Sequence, residues 1–347
     1  MDESPGWDAI TDALRPLYGD AEPYHLGTVV KWALGGPDPL DGISVYARTE
    51  PVPHWHFVSY GMSELYTKDS SDPDESGWGF EFTFRLVRDP AETTPPAWAA
   101  NLLQNLARYV FSSGNWFEAG HHMNVNGPIA AEREDSEIRA VAFTGDPELG
   151  EIATPHGKVK FLQVVGLAME EYDAVRQWNA RSLLDALAPR LPLFVTDIDR
   201  PSLLADPELA RLVREGIARE GSNSGVLFVT TAHWERAAGA TTLRLGALQA
   251  PAIAQTLRGR LPFGRELVLQ TEDSLLTFRP AEEFAVDEPG DGVLDVSVPP
   301  AALDDLIEAL RPTAGSSALP ALPGLTIEIV PTAMRDRYGN ETGEVIG

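Results

Sequence analysis

The chain has 347 residues and carries 27 Lys+Arg against 52 Asp+Glu, a formal net charge of −25. That balance argues against nucleic-acid binding and docking on anionic lipid, both of which need a cationic footprint; 43% hydrophobic residues argue against a disordered chain. Without a single cysteine, disulfide frameworks, thiolate zinc sites, iron–sulfur clusters and cysteine nucleophiles are all excluded.

The opening segment, Met1 to Gly6, has neither a basic nor an apolar region, so no leader peptide is expected. Trp7, Ile10, Leu14 and Leu17 then recur at helical spacing and predict a short amphipathic helix. A Gly35–Pro39 loop separates it from two β-rich runs, Ile43–Ala47 and Trp55–Tyr60. Residues 67–77 form a polar loop whose sole cation is Lys68. Beyond it Phe80, Phe82, Phe84 and Leu86 alternate with Glu81, Thr83 and Arg85, the clearest strand pattern in the chain. Pro95-Pro96 stops that region, and Trp98, Leu102, Leu106 and Tyr109 fall on one helical stripe.

Strands are predicted at Ile138–Thr144, Lys158–Ala168 and Leu193–Ile198, with helical pieces at Glu170–Trp178 and Ser182–Ala188. Asp206-Pro207-Glu208 is a helix start: a capping acid, a proline in the first turn, then an acid complementing the dipole. Gly221–Gly225 ends that helix and leads into a strand from Val226 to Thr231. The small, polar segment Glu235–Ala240 marks the expected boundary between a domain over 1–235 and another over 241–330. In the latter, strands are predicted at Leu243–Leu248, Glu266–Gln270, Leu275–Arg279, Val293–Val298 and Leu325–Val330, with a helix around Leu303–Leu310 and a frayed tail over 331–347. Strands and helices mix without regular alternation, so the fold class is α+β in two mixed α/β lobes joined by a short linker. Apolar stretches such as Val164–Met169 fall far short of the roughly 20 residues that cross a bilayer, so a soluble cytoplasmic monomer is expected.

Catalytic signatures are scarce. His54 and His56 share a strand face and could bind one metal, with His121 or His122 as a third ligand, the basis of an alternative reading as a metal-dependent hydrolase. The plain alternative is histidines packed and hydrogen-bonded beside Trp55. Gly221–Gly225 misplaces its serines for a nucleophile elbow and precedes a strand, and neither a phosphate loop nor a dinucleotide fingerprint is present. The acidic groups Glu132–Glu137 and Asp287–Asp295 read as solvated faces, and no calcium loop appears. No cofactor is expected. What remains is a strongly acidic chain with aromatics near loops (Trp55, Tyr60, Tyr66, Trp78, Trp116, Phe117, Trp178), a composition suited to a peptide groove.

The runs Pro53–Tyr66 and Ser76–Leu86 resemble the Suppressor of fused family, as do Leu106–Phe111, Thr154–Gly157, Phe161–Gly166, Gln177–Asn179, Gly221–Asn223 and Leu257–Leu261 with Gly264-Arg265. The resemblance covers most of residues 1–280. It implies a non-enzymatic protein of N-terminal and C-terminal α+β domains closing on an extended peptide, which enters the interdomain cleft by strand addition. Animal members carry a long insert between the lobes; here the link is only about Glu235–Thr242, as in a compact bacterial-type member. Similar bacterial proteins imply an immunity role, neutralising a toxin. Tyr66 matches the family's groove tyrosine, and the family's acidic contact falls in the loop where this chain offers Asp72, Asp74 and Glu75, among which spacing does not choose. Those acids imply a protein partner with a basic or His-containing extended segment.

Overall fold

In a computed structural model describing residues 4–347 except Lys31, Ala238 and residues 336–340, the chain divides into two units. One comprises residues 1–172 and 180–210, the other residues 173–179 and 211–347.

The first unit begins with α1 (Pro5–Tyr18), as its apolar spacing predicts, followed by β1 (Tyr24–Gly27), β2 (Gly42–Arg48), β3 (His54–Tyr60) and β4 (Glu75–Val87). Helix α2 (Ala97–Ser113), then β5 (His122–Asn124), β6 (Ile138–Gly145), β7 (Glu151–Thr154), β8 (Gly157–Ala168), α3 (Met169–Gln177), whose residues from Asp173 on belong to the second unit, and α4 (Ala180–Leu187) follow. The strands form one sheet in the order β1-β2-β3-β4-β8-β6-β5, with β7 paired to β8, and β4–β8 is its parallel pair.

The alternation in β4 separates two interiors. Phe80, Phe82, Phe84 and Leu86 enter an apolar cluster with Leu103, Leu106 and Val110 of α2. On the opposite face Glu81, Thr83 and Arg85 are equally hidden, each with no exposed surface. Ile10 and Leu14 of α1 pack there with Tyr46, Val58, Tyr60 and Phe161. The central strands are therefore covered on both sides, and their polar residues must satisfy one another.

Leu193–Ile198 does not form the predicted strand. Pro192–Phe194 makes a 3-10 turn with Leu193 and Phe194 in the left-handed region, and only Thr196 bridges to Leu86. The predicted helix start is present in α5 (Pro207–Glu220): an oxygen of Asp206 accepts the Glu208 N–H at 2.9 Å.

In the second unit, β9 (Val226–Phe228), β10 (Ala232–Ala237), β11 (Ala240–Gly246), α6 (Ala250–Arg260), β12 (Leu267–Gln270), β13 (Leu275–Pro280), β14 (Ala285–Gly290) and β15 (Val293–Val298) come first. They are followed by α7 (Leu303–Ala309), β16 (Gly315–Ala318), β17 (Leu325–Val330), β18 (Thr332–Arg335) and β19 (Glu341–Ile346). Two sheets, β10-β11-β17-β16 and β14-β15-β13-β12-β9, enclose one core with α6 and α7, centred on residues such as Leu245, Ile253, Leu276, Val296 and Ile327. The segment Glu235–Ala240, expected to be the boundary between two lobes, lies instead in the hairpin β10–β11, whose register runs from Ala232–Leu245 to Ala237–Ala240. Its small polar residues serve a turn, and the contacts divide the chain near Ala210. The tail expected to fray pairs as β18–β19, residues 336–340 lying outside the described residues. The α+β class, in two units of mixed helices and sheets, is what the structure contains.

Candidate functional site

Between β3 and β4 the chain runs through residues 61–74 without regular structure, yet two carboxylates hold it from inside. Glu81, fully buried on β4, accepts the N–H groups of Gly61 at 3.0 Å, Met62 at 3.4 Å and Ser63 at 2.9 Å. The hydroxyls of Ser59 and Ser63 donate to it as well, both at 2.6 Å. Burial pushes the Glu81 carboxyl up, and these donors pull it part of the way back. Glu64 does the same one turn later. Its carboxylate accepts the N–H groups of Asp69 at 2.6 Å, of Ser70, and of Gly77 at 3.1 Å, while the Lys68 ammonium stands 3.1 Å away. Burial would raise Glu64, but the Ser70 and Asp69 amides, Lys68 and the Gly77 amide outweigh it and hold the group at about 2. Lys68 also donates to the Ser70 hydroxyl at 2.7 Å and to the Glu75 carbonyl at 2.5 Å, closing the loop on itself.

Tyr66 projects from this braced loop and is 37% exposed, with its hydroxyl donating to Asp41 at 2.8 Å. The three candidate acids have different surroundings. Glu75 opens β4 opposite Lys158, and its carboxylate lies 3.8 Å from the Lys160 ammonium. Asp72 turns back on its own chain, accepting the Asp74 N–H at 2.9 Å across Pro73. The Asp74 side chain makes no hydrogen bond or ion pair among the described residues, and its backbone carbonyl accepts the Lys158 N–H at 2.8 Å. Here Gly157 has φ +116°, and a Cβ on it would come 2.8–2.9 Å from the backbone of Asp74 and Glu75. Sequence reasoning missed Asp41 and Glu64: an acid far away in the chain and one inside a polar run carry no periodicity that would single them out.

The four histidines are not assembled as metal ligands; among the described residues no group of three or more His, Asp or Glu could hold a metal ion. His54 is fully buried with Nδ1 2.7 Å from the Val52 carbonyl. His56 lies 2.6 Å through Nδ1 from the Tyr18 hydroxyl, and its Nε2 is 3.4 Å from Asp146. Burial and the Arg85 charge hold His56 down at about 4, so the ring is neutral near pH 7. His121 accepts the Glu118 N–H at 3.2 Å, while His122 stands edge-on to Tyr172 at 5.4 Å. The strand-face pair thus belongs to a buried polar network, the plain reading of these residues.

The polar loop and its tyrosine stand within the matched region of a protein-family model, Suppressor of fused protein, which covers residues 36–201. The chain is 40% identical over 239 residues to the human Suppressor of fused homolog and to that of the mouse; the match takes in 64% of this chain and 49% of each relative. A chain in the crystal structure of the Sufu–Fu complex is 32% identical, with 60% of this chain and 97% of that one covered at a TM-score of 0.56. This chain belongs to the Suppressor of fused family. The crystal structure of Drosophila Suppressor of fused shares the fold over 94% of this chain and 97% of its own, with a TM-score of 0.76 at 23% identity. Against the curated Suppressor of fused relatives, the match spans about half their length. Among the described residues, no helix is long and apolar enough to cross a membrane.

Proposed function

We propose that this Suppressor of fused family member is a non-enzymatic protein-binding module that captures an extended segment of a partner protein on the face carrying Tyr66 and the 67–75 loop. The observation that carries the reading is the braced loop. Glu64 and Glu81 fix it from inside, so Tyr66 and the carboxylates of Asp72 and Asp74 are presented with little ordering left to do on binding. A basic or His-containing segment fits that face, because exposed acids attract it and the tyrosine ring packs on its stem. Kinship to a protein crystallised in the Sufu–Fu complex supports protein binding as the activity. Among the described residues β5 pairs with β6 alone, which leaves one edge of the first unit's sheet for strand addition.

The finer reading is an immunity protein that neutralises a toxin, for which the net charge of −25 would favour a basic target. Capture of a partner from a native lysate by the parent protein, with Tyr66→Ala and Asp72→Lys/Asp74→Lys in parallel, tests the site. Loss in both variants supports the face described. Full retention in both removes it. Protection of cells by this protein against the captured partner, expressed alone as a poison, tests the immunity role separately.

A further inference from the structure

A second concave site lies elsewhere in the first unit, under α1. It is a cavity of about 410 Å³ whose wall is largely aromatic: Trp7, Tyr18, Tyr46 and Tyr60, with His25 beside them. Trp7 stacks on Tyr60 at 4.2 Å and Tyr18 on Tyr46 at 3.8 Å, so two ring pairs form the floor. His25 leans on Trp7 at 5.4 Å, and burial lowers its pKa, leaving it neutral near pH 7. Most of the polar atoms here are already committed. The Tyr18 hydroxyl is bonded to His56, the Tyr60 hydroxyl faces Thr11 at 3.4 Å, and His25 Nδ1 is 3.1 Å from the Ser44 hydroxyl. The Tyr46 hydroxyl has no hydrogen bond among the described residues.

The charge at the mouth is one-sided. Asp20 and Glu22 line the opening, both exposed, and neither takes part in an ion pair among the described residues. Among the described residues that line it, the one lysine or arginine is Arg15, paired with Asp12 at 3.0 Å. Aromatic faces with acids at the rim attract a cation that also has apolar surface to bury, and the electronegative faces discriminate against a neutral molecule of equal shape. A ring of this cluster already has such a neighbour, since the Arg48 guanidinium carbon lies 5.7 Å from the centre of Tyr18.

We propose that this cavity binds an alkylammonium group, packed against the Trp7 ring and the Tyr46 hydroxyl oxygen and drawn in by Asp20 and Glu22. The ligand would be either a free small molecule of that chemistry or the methylated side chain of a peptide. The proposal is independent of the Tyr66 reading.

The test is a calorimetric and ligand-detected NMR titration with two ammonium probes, choline and N-acetyl-trimethyllysine methylamide. The control is the trimethyllysine analogue with carbon in place of the charged nitrogen. Saturable binding of at least one ammonium probe, with the carbon analogue weaker by about tenfold or more, is the expected result. Whichever ammonium probe binds tighter assigns the source: choline a free ligand, the amide a side chain. Trp7→Ala should abolish the signal. Because that variant could loosen α1, Asp20→Asn/Glu22→Gln is run beside it; those exposed changes leave packing intact and should weaken binding about threefold. Equal affinity for the uncharged analogue, no saturation by either probe, or indifference to both variants overturns the assignment.

Discussion

The guanidinium of Arg85 donates to both carboxylate oxygens of Asp146, at 2.6 and 3.1 Å, and neither side chain has any exposed surface. Asp146 also accepts the Thr83 hydroxyl at 2.8 Å and the N–H groups of Glu148 and Leu149 at 2.9 and 3.0 Å. Arg85 reaches further, to Gln163 and, at 2.9 Å, to Glu148, which in turn accepts from Arg48 at 2.7 Å. Burial would raise Asp146, but His56 and Arg85 hold it well below the ordinary carboxylate range. The network ties β2, β4 and β8 to the turn after β6 on the face of the sheet that α1 covers.

Removing one member strands a buried charge. Asp146→Ala should therefore cost about 3–5 kcal/mol of stability. Urea unfolding followed by tryptophan fluorescence measures it. A loss below about 1 kcal/mol would mean that the network is solvated in solution.

Glu81→Gln replaces one carboxylate oxygen with an NH2 group, so a donor faces either the Gly61 and Ser63 amides with the Ser63 hydroxyl or the Met62 amide with the Ser59 hydroxyl. At least about 2 kcal/mol should be lost, concentrated where the 59–63 turn meets β4. Hydrogen exchange should show faster exchange at Gly61 and Ser63 in the variant than in the parent. Exchange unchanged at those amides would show that the turn does not depend on the carboxylate.

Stability should fall with acid in two stages. His56 is held at about 4 against an ordinary 6.5, so the unfolded chain takes up a proton first, and stability declines as pH drops from 6.5 toward 4. Glu64 is held at about 2 against 4.5; its contribution is complete above 4.5 and is lost as pH falls from there toward 2. Denaturation midpoints measured across that range should show both slopes, and Glu64→Gln should flatten the more acidic one, leaving the part that the depressed Asp146 contributes below its ordinary range. A flat profile between 6.5 and 4 would contradict the buried, neutral His56.

Gly157→Ala tests how the acidic loop is seated. A methyl group would meet the backbone of Asp74 and Glu75 at under 3 Å, in a conformation with φ +116° that side chains disfavour. The variant should be destabilised by about 1–3 kcal/mol, and partner capture should weaken with it. Wild-type stability and capture would show that the 74–75 backbone moves freely.

Partner association should begin quickly and slow with added salt, because a net charge of −25 accelerates encounter with a basic segment. Stopped-flow measurement at low and high salt reads the rate directly. A rate insensitive to salt would assign the acidity to solubility.

Periodicity along the chain made much of the fold readable. The spacing of Ile10 and Leu14, the alternation Phe80–Leu86 and the capping acid Asp206 each encode an element locally, and α1, β4 and α5 follow. Helix α6 passed unnoticed because its apolar stripe is weak: Ala252, Ala254, Gly259 and Arg260 interrupt it. The hairpin β10–β11 reads in the sequence as a linker because turns and linkers draw on the same small polar residues.

The long aromatic runs Pro53–Tyr66 and Ser76–Leu86 carried the family by themselves, since such strings are specific whatever the folding around them. Which polar residues are buried partners and which are presented was decided in three dimensions alone. Alternation in the strand would turn Glu81 to solvent, yet five donors seal it beneath the loop, whereas the Asp74 side chain has no partner among the described residues. A hydrogen bond between residues tens of positions apart leaves no period in the chain. The roles of Tyr66, Glu64 and the histidines are set by what the sheet and α1 bring against them, because burial and pairing are properties of the packed structure.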